Sequence, residues 1–172
     1  YPQHNAYGAS CKDLTPTMSR AIEKADEQNK PLLDKMLQLL TSWDGRSVID
    51  VVKDEQFQAG HTIFQEWLPR AIAMTFNDEF AEIEEFKLVR SGLFNLFLRC
   101  IDGPTSPLPV SRNYFDDINT GEMETAEEVF LKSLQETAAA LKEKFQSEDP
   151  AVWQAARSKI VYKHNMFGKV AE

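Results

Sequence analysis

Glycine and cysteine are scarce in this chain, seven and two among 172 residues. The glycines are scattered, and none belongs to a GxGxxG or Walker-type run, so no phosphate-cradling loop is present. Cys11 and Cys100 are too few for a disulfide framework, no CxxC occurs, and their spacing leaves open whether they meet. Cys100 lies in the apolar stretch Leu96–Ile101 and reads as a buried structural thiol rather than a nucleophile. HExxH is absent, and the three histidines, His4, His61 and His164, stand without metal-ligand spacing. The apolar runs are short, as in Ala71-Ile72-Ala73-Met74, against the roughly 20 residues a membrane helix needs. Positive charge is also lacking. Nineteen Lys and Arg face twenty-seven Asp and Glu, for a net charge of −8, and the acidic residues are interspersed with the basic ones. Displacing counterions from phosphates takes clustered cations, so nucleic acid and anionic membrane are excluded as partners. The acidity reads as a solubility device. Residue 1 is Tyr, no charged-then-apolar leader follows, and Val170-Ala171-Glu172 ends without a closing element; both ends read as cut from a longer polypeptide.

What is present is an ordinary globular composition, 42% hydrophobic and 27% charged, arranged mostly at helical spacing. Residues 1–13 are polar and aperiodic and read as an arm; 14–172 read as a single domain with no internal repeat. Leu14-Thr15-Pro16-Thr17 offers a helix start, followed by Met18, Ile22 and Ala25. Pro31 opens a leucine-rich helix carrying Leu33, Met36, Leu37 and Leu40, which Trp43-Asp44-Gly45 should stop, Gly45 adopting the left-handed conformation. Residues 47–54 are β-branched and ambiguous between strand and short helix. Phe57 to Met74 carries a second strong apolar stripe, with a kink expected at Pro69. Asp78–Phe86 is a short helix candidate, and Val89 to Leu98 form an apolar helix ended by Asp102-Gly103-Pro104. Pro104, Pro107 and Pro109 make the next stretch a loop, from which Tyr114-Phe115 should tuck back onto the body. Thr125 and Glu128 form a capping box for what reads as the longest helix, through Phe145. Asp149-Pro150 begins a short helix, and the alternation over Ile160-Val161-Tyr162 is that of a strand. The fold class is therefore mainly α, an irregular arrangement of six or seven helices with a proline-rich loop and a short C-terminal strand.

Two carboxylate clusters bear on chemistry. Asp116-Asp117 has the ligand type for a hard cation, but adjacent Asp residues in a turn usually make local Asx hydrogen bonds. Glu79, Glu82, Glu84 and Glu85 have the same ligand type, and at their mixed spacing read as a solvated helical face. His61 reads as a partly exposed structural histidine. No catalytic, cofactor-binding or metal-binding residue is assigned.

Leu39-Leu40-Thr41-Ser42-Trp43-Asp44-Gly45 followed by Ile63-Phe64-Gln65-Glu66-Trp67-Leu68 resembles a stretch of the penicillin acylase (penicillin amidase) family. Phe115-Asp116-Asp117, then Glu124-Thr125 and the long helix, resemble the same proteins, as do Trp153 and Lys159 to Gly168; the joint order covers most of residues 14–168. The resemblance implies an N-terminal nucleophile hydrolase that cleaves linear amides such as penicillins and acyl-homoserine lactones. In such enzymes the N-terminal Ser of the large chain attacks, its own α-amino group serves as base, and backbone N–H groups with an Asn form the oxyanion hole. The resemblance further implies a bound calcium, export to the periplasm, and the small chain and the rest of the large chain as partners. Tyr1 cannot serve as such a nucleophile, and the matched stretches correspond to the family's helical lobe late in the large chain, so no catalytic residue carries over. The expectation is a non-catalytic helical part of an amidohydrolase, inactive alone. The alternative is an independent helical module that binds a ligand or protein.

Overall fold

A computed structural model of the chain describes residues 11–45, 57–80, 83, 90–103, 106, 108 and 110–155. Five α-helices are present among them: α1 (Cys11–Glu23), α2 (Lys30–Ser42), α3 (Ala59–Phe80), α4 (Arg90–Asp102) and α5 (Ala126–Phe145); a 3-10 turn, Pro150–Val152, follows. The mainly α class is as expected. Among the described residues the helix count is lower, for two reasons. The start of the Asp78–Phe86 candidate is the end of α3, and the segment after Asp149 is a single 3-10 turn. Of the rest of that candidate only Ile83 is described, exposed and in no helix; its other residues, residues 1–10, 47–54, Glu82, Glu84, Glu85, the three loop prolines, His4, His164 and the Ile160–Tyr162 strand lie outside the described residues.

Local chemistry accounts for most of the boundaries. α1 is already helical at Cys11, ahead of the expected start, and runs through Pro16. Proline cannot donate to the carbonyl four residues back, that of Lys12. The Thr15 hydroxyl donates to that carbonyl instead, at 2.9 Å. Pro31 sits in the first turn of α2, where no helical donor is lost. α2 ends as its stripe predicts, with the Trp43 N–H returning to the Leu39 carbonyl and Gly45 at φ 79°. α3 continues on both sides of Pro69 and, at 22 residues against 20 in α5, is the longer helix, contrary to the sequence expectation. A proline costs a helix about 3 kcal/mol. The fully buried Ile63, Phe64 and Trp67 before it and Ala71 and Phe76 after it outweigh that cost.

α5 starts on the capping box. The Glu128 N–H donates to Thr125 Oγ1, and the Thr125 N–H donates to the Glu128 carboxylate at 2.7 Å. The Thr125 hydroxyl also donates to the Glu128 carboxylate at 2.7 Å, and with the Thr125 N–H it holds that carboxyl below its ordinary pKa. Thr125→Ala should destabilise the protein by about 1 kcal/mol in urea unfolding, the usual loss for a Thr cap; an unchanged midpoint would show the box to be idle.

The helices enclose one core. α1 packs on α2 and α5, α3 packs on α2 and α5, and α4 lies on α3. An aromatic chain runs through the centre. Trp43 meets Phe64 at 5.5 Å, Phe64 meets Trp67 at 6.1 Å, Trp67 meets Phe130 edge-on at 5.1 Å, and Phe130 stacks on Phe97 at 5.6 Å. Phe115 closes the chain against Phe97 at 6.0 Å, and Tyr114 rests on Phe76 and Phe80, so the aromatic pair does fold back from the loop. Trp153 is fully buried and donates through its indole N–H to the Ser147 carbonyl. The last described residues lie beside the start of α3: the Phe57 N–H donates to the Ala155 carbonyl, and the Ala155 N–H to the Thr62 hydroxyl.

Candidate functional site: a mixed-charge groove and a buried carboxylate

Between α3 and α5 runs an open groove of about 400 Å³. Arg70, Ala73, Met74 and Asn77 recur at helical spacing on α3, and Val129, Lys132 and Glu136 do so on α5; Phe115 lies between them. The loop before α5 supplies Asp117 and Glu124 at one end, beside Asp78. The floor is therefore apolar and the rim carries charges of both signs.

Most of these charges already have partners. Arg70 is held by Glu66 at 3.0 Å, and Glu66 also meets Lys144 at 3.4 Å. Burial pushes the Glu66 carboxyl up, but the two cations more than offset this, and its pKa is lowered overall. Asp117 accepts from the N–H and side-chain amide of Asn119, which is the Asx turn preferred for this pair, and these bonds lower its pKa. Asp116 accepts the Glu124 N–H, and Glu124 in return accepts the Asp117 N–H. Among the described residues no group of three or more His, Cys, Asp and Glu side chains is arranged to hold a metal ion. The calcium implied by the resemblance finds no ligand set among them.

Two sequence expectations need correction. His61 is buried, at 8% exposure, rather than partly exposed. It stacks on Phe57 at 4.3 Å and stands edge-on to Trp43 at 5.4 Å, because the whole first turn and a half of α3 is enclosed. Glu79 is not on a solvated face: its side chain is only 5% exposed, and Arg112 reaches it at 2.9 Å. That contact is ionic rather than an aligned hydrogen bond, so neither Glu79 oxygen has a hydrogen-bond donor. Burial, with the neighbouring Asp78 carboxylate adding to it and Arg112 opposing, pushes the Glu79 carboxyl up to about 7. The signal was present: Glu79 follows Phe76 by three and Thr75 by four, on the buried stripe of α3. Arg112 came from a distant loop and could not be paired with it by spacing.

Both cysteines are free. Burial raises the Cys11 thiol to about 12 and Cys100, which is only partly buried, to about 11, so neither is a ready thiolate. No described helix is long and apolar enough to cross a membrane.

The architecture defines a class, a mainly helical fold whose interior is aromatic and whose buried hydroxyls are tied to backbone carbonyls. The sequence model of the penicillin amidase family matches residues 2–171, and the chain belongs to that family. No curated protein matches it.

Proposed function

We propose that these residues form the non-catalytic helical part of a penicillin acylase-like amidohydrolase. The whole protein would hydrolyse the amide of penicillins, acyl-homoserine lactones or related N-acyl compounds. Its nucleophile would be an N-terminal Ser carried by other segments, activated by its own α-amine, with any calcium held by those segments. The lobe would pack on the enzyme's αββα core, shape access to its cleft, and stabilise the small-chain and large-chain pair. Export to the periplasm belongs to the same reading.

The family match over nearly the whole chain carries this reading. The chemistry of the interior supports it. The buried hydroxyls of Thr75, Ser133 and Thr137 donate to the carbonyls of Ala71, Phe130 and Ser133, and Thr62 donates to that of Gln58. A hydroxyl so engaged is not aligned on a general base. The purified chain should therefore release no product from a chromogenic phenylacetyl-amide, whereas the full gene product should. Turnover by the chain alone would defeat the non-catalytic assignment. A full gene lacking any self-cleavage junction upstream would favour an independent helical binding module instead.

A further inference from the structure

We propose that the groove between α3 and α5, together with the hydrogen-bonded loop at its acidic end, is the docking surface for a segment of the parent polypeptide that carries Lys or Arg beside apolar side chains. The inference rests on the reading that the chain is one part of a larger amidohydrolase, and it names the face through which the two parts meet.

The loop from Asn113 to Glu124 is fixed by its own polar groups. The Asn113 side-chain amide donates to the Glu124 carbonyl at 2.8 Å, the Asp117 N–H donates to the Glu124 carboxylate at 3.0 Å, and the Thr120 N–H donates to the Asp117 carbonyl at 2.9 Å. Asp78 ties the loop to α3 by accepting the Ile118 N–H at 2.9 Å. This fastened loop nevertheless leaves Ile118 53% and Met123 76% exposed, one just after Asp117 and the other just before Glu124. Apolar side chains that face water contribute little to the fold that holds them. Held on a loop whose backbone is already bonded, they can be covered by a partner at little ordering cost. The apolar floor of the groove, with Met74 and Phe115, continues the same surface.

Charge identifies the occupant. Asp78, Asp117 and Glu124 gather at one end of the groove, each oriented by a backbone N–H, and none is ion-paired with a Lys or Arg among the described residues. Lys132 influences Asp117 without pairing with it, and less than the Asn119 bonds do. Carboxylates outnumber cations around the groove five to two, and one of those cations, Arg70, is held by Glu66. A cation arriving at this end therefore meets negative charge that nothing in the chain has neutralised. A second copy of the chain fits poorly, since it brings a net charge of −8 of its own. A small amine would enter the groove of about 400 Å³ and leave Ile118 and Met123, which lie outside its lining, in water. A polypeptide segment laid between the two helices covers both, with apolar side chains on Met74 and Phe115 and its cation at the Asp78 end.

Oxidation of Met123 by hydrogen peroxide in the full gene product, read by peptide mapping, tests this. A synthetic peptide of residues 113–125 sets the rate for an uncovered Met123. In the mature, active protein Met123 should oxidise about tenfold more slowly than in the peptide, and a rate within about twofold of the peptide would overturn the docking. Two variants at Ile118 read the sign of the partner's charge; both keep the backbone N–H that bonds Asp78. Ile118→Arg repels a basic segment and should bring Met123 to within about threefold of the peptide rate, whereas Ile118→Glu should keep most of the protection. An equal response of the two variants, or the greater loss in Ile118→Glu, would overturn the basic chemistry. Protection that fades on dilution would overturn it in favour of a second copy. A gene product that neither cuts itself nor turns over a phenylacetyl-amide would overturn the amidohydrolase reading and this inference with it. An active product with a freely reactive Met123 would overturn the docking surface alone.

Discussion

Trp67→Ala should destabilise the protein by about 3–5 kcal/mol, the range for deleting a large buried aromatic side chain. Natural domains have only about 5–15 kcal/mol in total, so this single change should bring the fold close to its limit. The position justifies the upper part of the range. Trp67 is fully enclosed, touches Phe64, Phe97 and Phe130, and joins α3 to α5 through an indole N–H donated to Ser133 Oγ at 2.9 Å. Collapse into the vacated space is hindered on the Ser133 side, because that hydroxyl is fixed to the Phe130 carbonyl and Thr137 is fixed to the Ser133 carbonyl. Trp67→Phe retains most of the ring contact and loses the hydrogen bond, so a loss of about 1–2 kcal/mol is expected. Urea unfolding followed by far-ultraviolet circular dichroism reads both, since changing a tryptophan alters the fluorescence baseline. A cost below about 1 kcal/mol for Trp67→Ala would mean that the aromatic chain does not organise this core.

The leucine stripe of α2, its arrest at Trp43-Asp44-Gly45, and the capping box at Thr125 and Glu128 were readable because each depends on residues within one or two turns of one another. Continuation of α3 through Pro69 was not, because the local penalty is visible in sequence while the compensating burial comes from other helices. The start of α3 shows the same limit. Ala59 through Phe64 are buried without interruption, so no amphipathic period exists there to find. For the candidate site, the Asx turn at Asp117 is a local device and was legible. The stripe of α3 turns Glu79 inward, but its pairing with Arg112 was not legible, since Arg112 comes from a loop that also donates the Ile118 N–H to Asp78, forty residues away. Local rules find elements and caps; a buried charge is defined by what crosses over it, and that is a property of the tertiary arrangement.

The uninterrupted burial at the start of α3 has a cause that leads to the second large effect. Gly60→Ala should destabilise by about 2 kcal/mol, and Gly60→Val by about 3 kcal/mol or more, as overpacking does in a close-packed interior. Glycine in a helix is normally a weakness, and alanine there usually gains about 0.5–1 kcal/mol. Here a Cβ at position 60 would press on the Leu39 carbonyl oxygen and stand 2.7 Å from the Trp43 Cβ. Neither neighbour can yield cheaply. The Leu39 carbonyl accepts the Trp43 N–H and the Ser42 hydroxyl, each at 3.1 Å, and so closes the end of α2. Trp43 is itself buried between Phe64 and His61. Relief of the clash therefore requires α2 and α3 to separate, which loosens the Trp43 contacts at the same time. Gly121 is the control, since a Cβ there meets nothing within 4 Å; its alanine variant should stay within about 0.5 kcal/mol of wild type. Denaturant midpoints at constant m-value separate the two positions. If Gly60→Ala were neutral or stabilising, α2 and α3 would have room between them, and the close approach that buries His61 and Trp43 would not be what binds the two helices together.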